Sequence, residues 1–234
     1  MFISVIIPCF NEVATLEIII DKILCQKKII KQIILVNDGS NDGTKELIEE
    51  KLIRKVNIVI HHKKNKGKGS AIKSALKYAI GDIILIQDAD LEYDPRDYNK
   101  LIRPILKKNF YVVYGSRVLN RNRYLSDNFT SLYRIFFNHM LTLISNIINS
   151  QKLTDAHTCY KVFHRSALKK IKLFENDFSF CPEITTKISN KKIKITEVSI
   201  RYKGRDYNEG KKIGFYDGIK AIYVLIKYKF FKNE

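Results

Sequence analysis

The sequence predicts an α/β fold, a mainly parallel sheet flanked by helices. Two observations lead there. Short apolar runs alternate with amphipathic segments through the first half of the chain, the pattern of βαβ units. Polar and acidic residues follow those runs at one end, where open α/β sheets hold their ligands. Composition agrees: of 234 residues, 45% are hydrophobic and 28% charged, which is globular rather than disordered. The length suits one domain spanning 1–234.

The elements follow in order. Strands are expected at 4–7, 33–36, 57–60, 83–86 and 111–114, with helices at 13–24, 44–54, 70–79 and 95–107. Residues 128–150 read as one long helix whose single formal charge is Arg134. Its apolar positions fill about half the circumference, and Arg134, Asn138, Thr142, Ser145, Asn146 and Asn149 share the other side. A solvated face in so lysine-rich a chain would carry Lys and Glu, so this small-polar face is expected to turn toward a polar site. The apolar side suits either a core or an interface. A strand at 159–163, short helices near 166–171 and 182–189, and a strand at 193–200 come next. After a basic loop at 202–212, a last helix at 214–231 mixes Phe and Tyr with Lys220, Lys227 and Lys229.

Lys and Arg number 42 against 24 Asp and Glu, a formal charge of +18. Such a surplus suits nucleic acid, an anionic membrane or a phosphorylated substrate, although a genome rich in Lys and Ile codons gives the same balance. Cys9, Cys25, Cys159 and Cys181 form no CxxC pair and have no ligand-like spacing with histidines. That argues against a zinc site or disulfide framework and suits a reducing compartment. The chain opens into an apolar strand without a basic leader, so no signal peptide is expected. No uncharged apolar window approaches the ~20 residues of a membrane span. A cytoplasmic or membrane-surface location follows.

Asp88-Ala89-Asp90 closes the fourth expected strand. Alternation along a strand would turn both carboxylates to one side and Ala89 to the other. Neighbouring carboxylates repel unless a cation lies between them, and oxygen ligands suit magnesium or manganese. Glu92 can add a third oxygen. After the second strand, Asp38 can accept from a base or ribose while Ser40, Asn41 or Asp42 caps the next helix. Asn65-Lys66-Gly67-Lys68-Gly69-Ser70 precedes a helix, where free N–H groups favour phosphate, but it lacks Walker or dinucleotide spacing. Arg117, Arg134, Arg205, Lys211 and Lys212 are candidate phosphate contacts.

Ser4-Val5-Ile6-Ile7-Pro8 with Asn11-Glu12, then Val36-Asn37-Asp38-Gly39-Ser40-Asn41-Asp42-Gly43-Thr44, then Asp88-Ala89-Asp90 resemble the inverting glycosyltransferases of family 2. That family has the GT-A (Rossmann-like) fold. Within it the chain most resembles the dolichyl-phosphate or polyprenyl-phosphate mannosyl- and glucosyltransferases. The resemblance extends through 87–95, Gly115-Ser116-Arg117, Asp155-Ala156-His157-Thr158-Cys159-Tyr160-Lys161, Phe180-Cys181-Pro182-Glu183, Glu197-Val198-Ser199-Ile200-Arg201-Tyr202, and Arg205 to Lys212.

The resemblance implies that Pro8, Asn11, Glu12 and Asp38 hold the base and ribose of a nucleoside-diphosphate sugar. Asp88 and Asp90 would approach its pyrophosphate through the metal, with Glu92 where that group often has Gln. Arg117 and Arg134 would bind the acceptor phosphate, and Arg205 and Lys211 the donor diphosphate. Asn138 stands where the group commonly has a phosphate-binding Ser. Donor and metal would belong to 1–118, the acceptor and membrane-surface helices to 119–234. The chain lacks the transmembrane hairpins of many members, so the helices at 128–150 and 214–231 would lie in the lipid interface at the cytoplasmic face.

The implied reaction moves a hexose from a GDP-mannose or UDP-glucose type donor to a polyprenyl or dolichyl phosphate, with inversion. A lipid phosphate is already an anionic nucleophile. A hydroxyl acceptor would need a carboxylate base, for which Asp155 and Glu183 are the candidates. A nucleotidyltransferase would instead release pyrophosphate. A nucleic-acid-binding module would account for the charge but has no use for acids at the sheet mouth, so no nucleic-acid partner is expected.

Overall fold

The computed structural model describes residues 2–27, 29, 31–107, 110–120, 129–169, 171–204 and 215–231, without the side chains of 129–134 and 215. Its seven strands form one sheet in the order β3-β2-β1-β4-β6-β5-β7. β1 (Ile3–Cys9), β2 (Lys31–Asn37), β3 (Ile58–His61) and β4 (Ile83–Ile86) run parallel to one another. β6 (Lys161–His164) is antiparallel to both β4 and β5 (Val112–Ser116), and β7 (Ile195–Ser199) pairs parallel with β5. The mainly parallel reading holds. A single reversed strand could not be told from its neighbours by apolar content.

The central strands are uninterrupted apolar runs because helices cover both faces. Every residue of β1 and β4 is buried. α1 (Leu16–Leu24) contributes Leu16, Ile19, Ile20 and Ile23, and α4 (Tyr98–Leu106) contributes Tyr98, Leu101, Ile102 and Ile105. Both sets repeat at i, i+3, i+4 and i+7, the stripe of a helix packed on a sheet. α1 starts later than expected because 11–15 is held elsewhere: the N–H of Glu12 donates to Thr44 Oγ1 (3.0 Å) and that of Val13 to Asp42 (3.1 Å).

From β1 the chain steps outward through α1 to β2 and through α2 (Thr44–Leu47) to β3, then crosses back through α3 (Lys68–Leu76) to β4 on the other side of β1. The boundary between β1 and β4 is therefore the topological switch point, where open sheets open a crevice at their carboxyl ends. The β1–β4 ladder stops at Ile6 and Ile86, while β1 runs on to Cys9 along β2. Pro8, which lacks an N–H, lies in that stretch beyond the β4 pairing.

The second half adds α5 (Phe129–Asn149), α6 (Arg165–Leu168), α7 (Phe180–Asn190) and α8 (Phe215–Ile226), closed by a wider turn at Lys227–Phe231. On α5 it is the polar face that is buried. Thr142, Ser145 and Asn149 are 1–3% exposed, and Thr142 Oγ1 accepts from the N–H of Ala156 (3.3 Å). Much of the apolar side is not core: Phe136, Met140, Leu143 and Ile147 are 40–80% exposed, although Leu141 is buried. α8 repeats the pattern, burying Ala221, Val224 and Leu225 while Tyr216, Ile219, Tyr223 and Ile226 face outward. Among the described residues no helix is long and apolar enough to cross a membrane.

Candidate active site

Two loops meet at the carboxyl ends of β1 and β2. Asn11 turns through a positive φ of 54°, and its side chain exchanges hydrogen bonds with Asn41, giving from Nδ2 to Oδ1 (2.9 Å) and accepting from the N–H (3.0 Å). Its own N–H donates to Ser40 Oγ (2.9 Å). Ser40, Asn41 and Asp42 thus tie one loop to the other as well as preceding α2. Glu12 faces back, accepting from Thr15 Oγ1 (2.8 Å).

Asp38 departs from expectation. Its carboxylate is not free for a base or ribose: it accepts from His62 Nδ1 (2.5 Å) and from the N–H groups of Lys66 (3.1 Å) and Gly67 (2.7 Å). His62 is steadied in turn by Ser74 (2.9 Å). The cause is a close approach of the glycine-rich loop to β2. A Cβ on Gly39, at φ +74°, would lie 2.5 Å from the carbonyl carbon of Lys64. A Cβ on Gly67, at φ +93°, would lie 2.6 Å from the carbonyl oxygen of Asn176. The N–H of Ser70 also donates to that oxygen (2.8 Å). With these donors committed inside the protein, what the loop presents is the side chain of Lys68.

Lys68 ion-pairs with Asp88. Burial pulls the ammonium toward neutrality, but Asp88 outweighs it and raises its pKa. Asp88 and Asp90 are not on a strand, because β4 ends at Ile86 and the pair lies in the bend beyond it. Ala89 is nevertheless buried and both acids are partly exposed, so the expected orientation arises without strand alternation. The bend is held from beneath by Gln87, fully buried, whose Oε1 accepts from Tyr98 (2.9 Å) and Tyr160 (2.7 Å) and whose Nε2 donates to the Asp88 carbonyl (3.0 Å). Glu92 does not join the pair. It accepts from Tyr202 Oη (3.2 Å), and its carbonyl from the N–H of Lys203 (3.0 Å), bridging the acidic loop to the segment after β7.

After β5, Arg117 forms a bidentate pair with Asp155, Nε to Oδ2 at 2.6 Å and Nη2 to Oδ1 at 2.8 Å. Its N–H also donates to Oδ2 (3.1 Å), and its guanidinium lies 5.1 Å from the Tyr202 ring centre. Burial opposes the charge on Asp155, but the guanidinium holds the carboxyl below the usual range, leaving a poor base. Burial pushes the Tyr202 phenol up to about 12. Glu197 receives the N–H groups of Thr154 (2.7 Å) and Asp155 (2.9 Å), fixing the loop that carries Asp155.

Glu183 is likewise committed. It is fully buried, accepts from the N–H groups of Phe174 (2.7 Å) and Glu175 (2.9 Å), and pairs with Lys187 (3.0 Å). It holds the segment that seals the glycine-rich loop and is not available as a base. Arg205, Lys211 and Lys212 lie outside the described residues, as does the side chain of Arg134. Asn138 lies on the described part of α5 and is half-buried.

The glycosyl transferase family 2 model matches residues 4–172, most of the chain. The chain belongs to glycosyl transferase family 2. The family's curated relatives include the UDP-N-acetylglucosamine–dolichyl-phosphate N-acetylglucosaminyltransferase of Methanococcus voltae, 30% identical across 97% of this chain and 96% of that enzyme. A dolichyl-phosphate beta-glucosyltransferase of Trichomonas vaginalis is 27% identical over 86% of this chain and 66% of its own length. Glucosyl-3-phosphoglycerate synthase of Mycobacterium tuberculosis shares the fold, with a TM-score of 0.68 at 17% identity over 99% of this chain and 79% of that one. The protein is thus a glycosyltransferase with the GT-A architecture.

In this glycosyltransferase no group of three or more His, Cys, Asp or Glu converges among the described residues. Two carboxylates at the crevice, with remaining ligands from a substrate's phosphates, are the usual setting for magnesium or manganese. The donor set fits: it is all oxygen, and Asp88 already draws a cation to itself. The sequence assigns no role to Gln87, Tyr98 or Tyr160, although Gln87 and Tyr160 lie in the stretches that carry the family resemblance. Gln87→Leu would leave two buried hydroxyls without their acceptor, a loss of about 2–4 kcal/mol in urea unfolding, whereas Tyr98→Phe should cost about 1 kcal/mol.

Proposed function

We propose that this family 2 glycosyltransferase moves a hexose from a nucleoside-diphosphate sugar to a polyprenyl or dolichyl phosphate at a membrane surface, inverting the anomeric centre. The observation that carries the reading is the acid pair Asp88 and Asp90 beyond β4 at the switch point, with the Lys68 ammonium against Asp88. Asp88 and Asp90 would hold the metal, magnesium or manganese, with Glu92 reaching it only on release from Tyr202. When bound, the ion supplies neutralisation of charge growing on the departing diphosphate. Lys68 adds a fixed positive charge to the same crevice. Arg205 and Lys211 would contact the donor diphosphate, and Pro8, Asn11 and Glu12 would line the nucleoside, with Asp38 holding the glycine-rich loop in place beside them.

An oxygen of the acceptor phosphate bonds to the anomeric carbon as the bond from that carbon to the diphosphate oxygen breaks. An ionised phosphate has no proton to lose. Both candidate bases, Asp155 and Glu183, are committed to other partners, and this favours a phosphate over a hydroxyl acceptor. Arg117 and Arg134 would bind that phosphate, with Asn138 one turn along. The named acceptors of the Methanococcus and Trichomonas relatives support the same choice, and the Mn2+ and UDP in structures of the mycobacterial neighbour support a metal-held diphosphate. Residues 1–118 would serve the donor and 119–234 the acceptor, with the outward apolar stripes of α5 and α8 resting on a cytoplasmic membrane face.

The test is a donor panel of GDP- and UDP-sugars, scored for release of free nucleoside diphosphate. Release should require both a divalent ion and polyprenyl phosphate. Equal release with a polyprenol, which has a hydroxyl in place of the phosphate, would overturn the acceptor assignment.

A further inference from the structure

A groove of about 1430 Å3 runs along β7, from the α7–β7 turn to Leu119 and Thr154. β7 pairs with β5 alone and so forms the sheet's edge. Its Ile195 end lies opposite the edge carrying Asp88, because β4 and β7 are each related to β6 through one antiparallel step. The walls come from the loop after α5, the segment after α6, the α7–β7 turn and the turn closing α8. They are dense in lysine. Lys187 is paired with Glu183, and Lys191 donates to the Lys169 carbonyl (3.0 Å). Lys152, Lys172, Lys192, Lys194 and Lys229 line the same groove with no acidic partner among the described residues.

Glu197 is the acid on the described lining, and its oxygens are taken by main-chain N–H groups of 154 and 155. The side-chain oxygen of Asn149, itself 3% exposed, is buried on this wall without a partner among the described residues. Unpaired ammonium groups gathered on one concave surface repel one another and attract anions into it. The groove also has a particular neighbour. Asn149 ends α5 and Lys229 lies in the turn after α8, so both amphipathic helices run into it. Ile147 (80% exposed), Phe230 (65%) and Phe231 (79%) stand within two residues of groove-lining positions. A soluble polyanion or RNA would satisfy the lysines and leave those apolar side chains in water. An anionic bilayer satisfies both.

We propose that this groove receives the phosphate headgroups of anionic phospholipids, a second membrane contact at the Asn149 end of α5. The inference rests on the membrane-surface reading above. α5 has 21 residues and spans about 30 Å, so a headgroup anchor at Asn149 would keep the helix pair lying along the surface instead of tilting away from it.

Flotation of the full chain with phosphatidylcholine vesicles, with and without about one-third phosphatidylglycerol, tests it. A Lys152→Gln, Lys172→Gln, Lys194→Gln variant should lose about 100-fold in partitioning to the anionic vesicles, roughly fivefold per lysine, with weak binding to neutral vesicles unchanged. Its turnover of a water-soluble short-chain prenyl phosphate should match wild type, which also reports that it folds. An Ile147→Ser, Phe230→Ser variant should weaken binding to both vesicle types. If the lysine variant floats like wild type while the apolar variant does not, the groove assignment is wrong and the membrane reading stands. If wild type floats with neither vesicle, both fail. Groove-dependent binding of tripolyphosphate or an RNA oligonucleotide, with lysine-independent flotation, would also overturn the proposal.

Discussion

Replacing Asp88 and Asp90 together with Asn should lower kcat by about 10³–10⁴-fold, equivalent to about 4–6 kcal/mol of transition-state stabilisation. The carboxylates matter through charge, so the near-isosteric amide suffices as a test. In the same variant the Lys68 ammonium loses its partner while its side chain is only 16% exposed. A modest fall in stability should accompany the catalytic loss, traceable to Asp88 alone. Asp90→Asn keeps the Lys68–Asp88 pair and should separate the two effects, with turnover falling and the urea midpoint staying put. Wild-type turnover lost to a chelator should return on adding magnesium or manganese, and the double variant's should not. Undiminished nucleoside diphosphate release from the double variant would remove the proposed role of the acids altogether.

The acid pair could be read from the sequence because it needs only local information: a strand-like run that ends in two acids. The sheet and its parallel character could be read for the same reason, since α1 and α4 carry their core stripes in plain view. What escaped depends on contacts between distant segments. Gln87 meets Tyr160 across 73 positions, and no pattern near residue 87 announces that partner. Asp38 looks free in the sequence because capping of the next helix falls to its neighbours, yet it is claimed by N–H groups of a loop 28 residues on. Lys68 was legible only as part of a glycine-rich loop. Folding commits that loop's donors to Asp38 and Asn176 and leaves the ammonium to face Asp88. For α5 the periodicity gave two faces, and the polar one lies inward at Thr142, Ser145 and Asn149. That the apolar face lies open follows from what packs beside it, which one helix cannot specify.

Asp155→Asn should destabilise the fold by about 3–5 kcal/mol, because Arg117 stays charged in a site that buries most of its side chain. The amide can still accept from one nitrogen, but it cannot balance the guanidinium. Arg117→Met should be about as costly, since it strands a carboxylate that is 5% exposed. Replacing both with apolar residues of similar volume should recover most of the loss, as removing a whole buried pair spares the uncompensated charge. The pH dependence gives an independent reading. The folded pKa of Asp155 lies below its unfolded value of about 3.9, so its contribution is complete above that pH and fades as pH falls through the lower folded value. Urea midpoints should therefore drop more steeply below about pH 4 in wild type than in Asp155→Asn, and the two curves should converge in acid. Activity supplies the remaining discrimination. Arg117 spends Nε and one terminal nitrogen on Asp155, which fixes the direction its remaining donors can take toward an acceptor phosphate. If it binds that phosphate, Asp155→Asn raises KM for the acceptor with little change in KM for the sugar nucleotide. A rise confined to the donor would move Arg117 from the acceptor side of the crevice to the donor side.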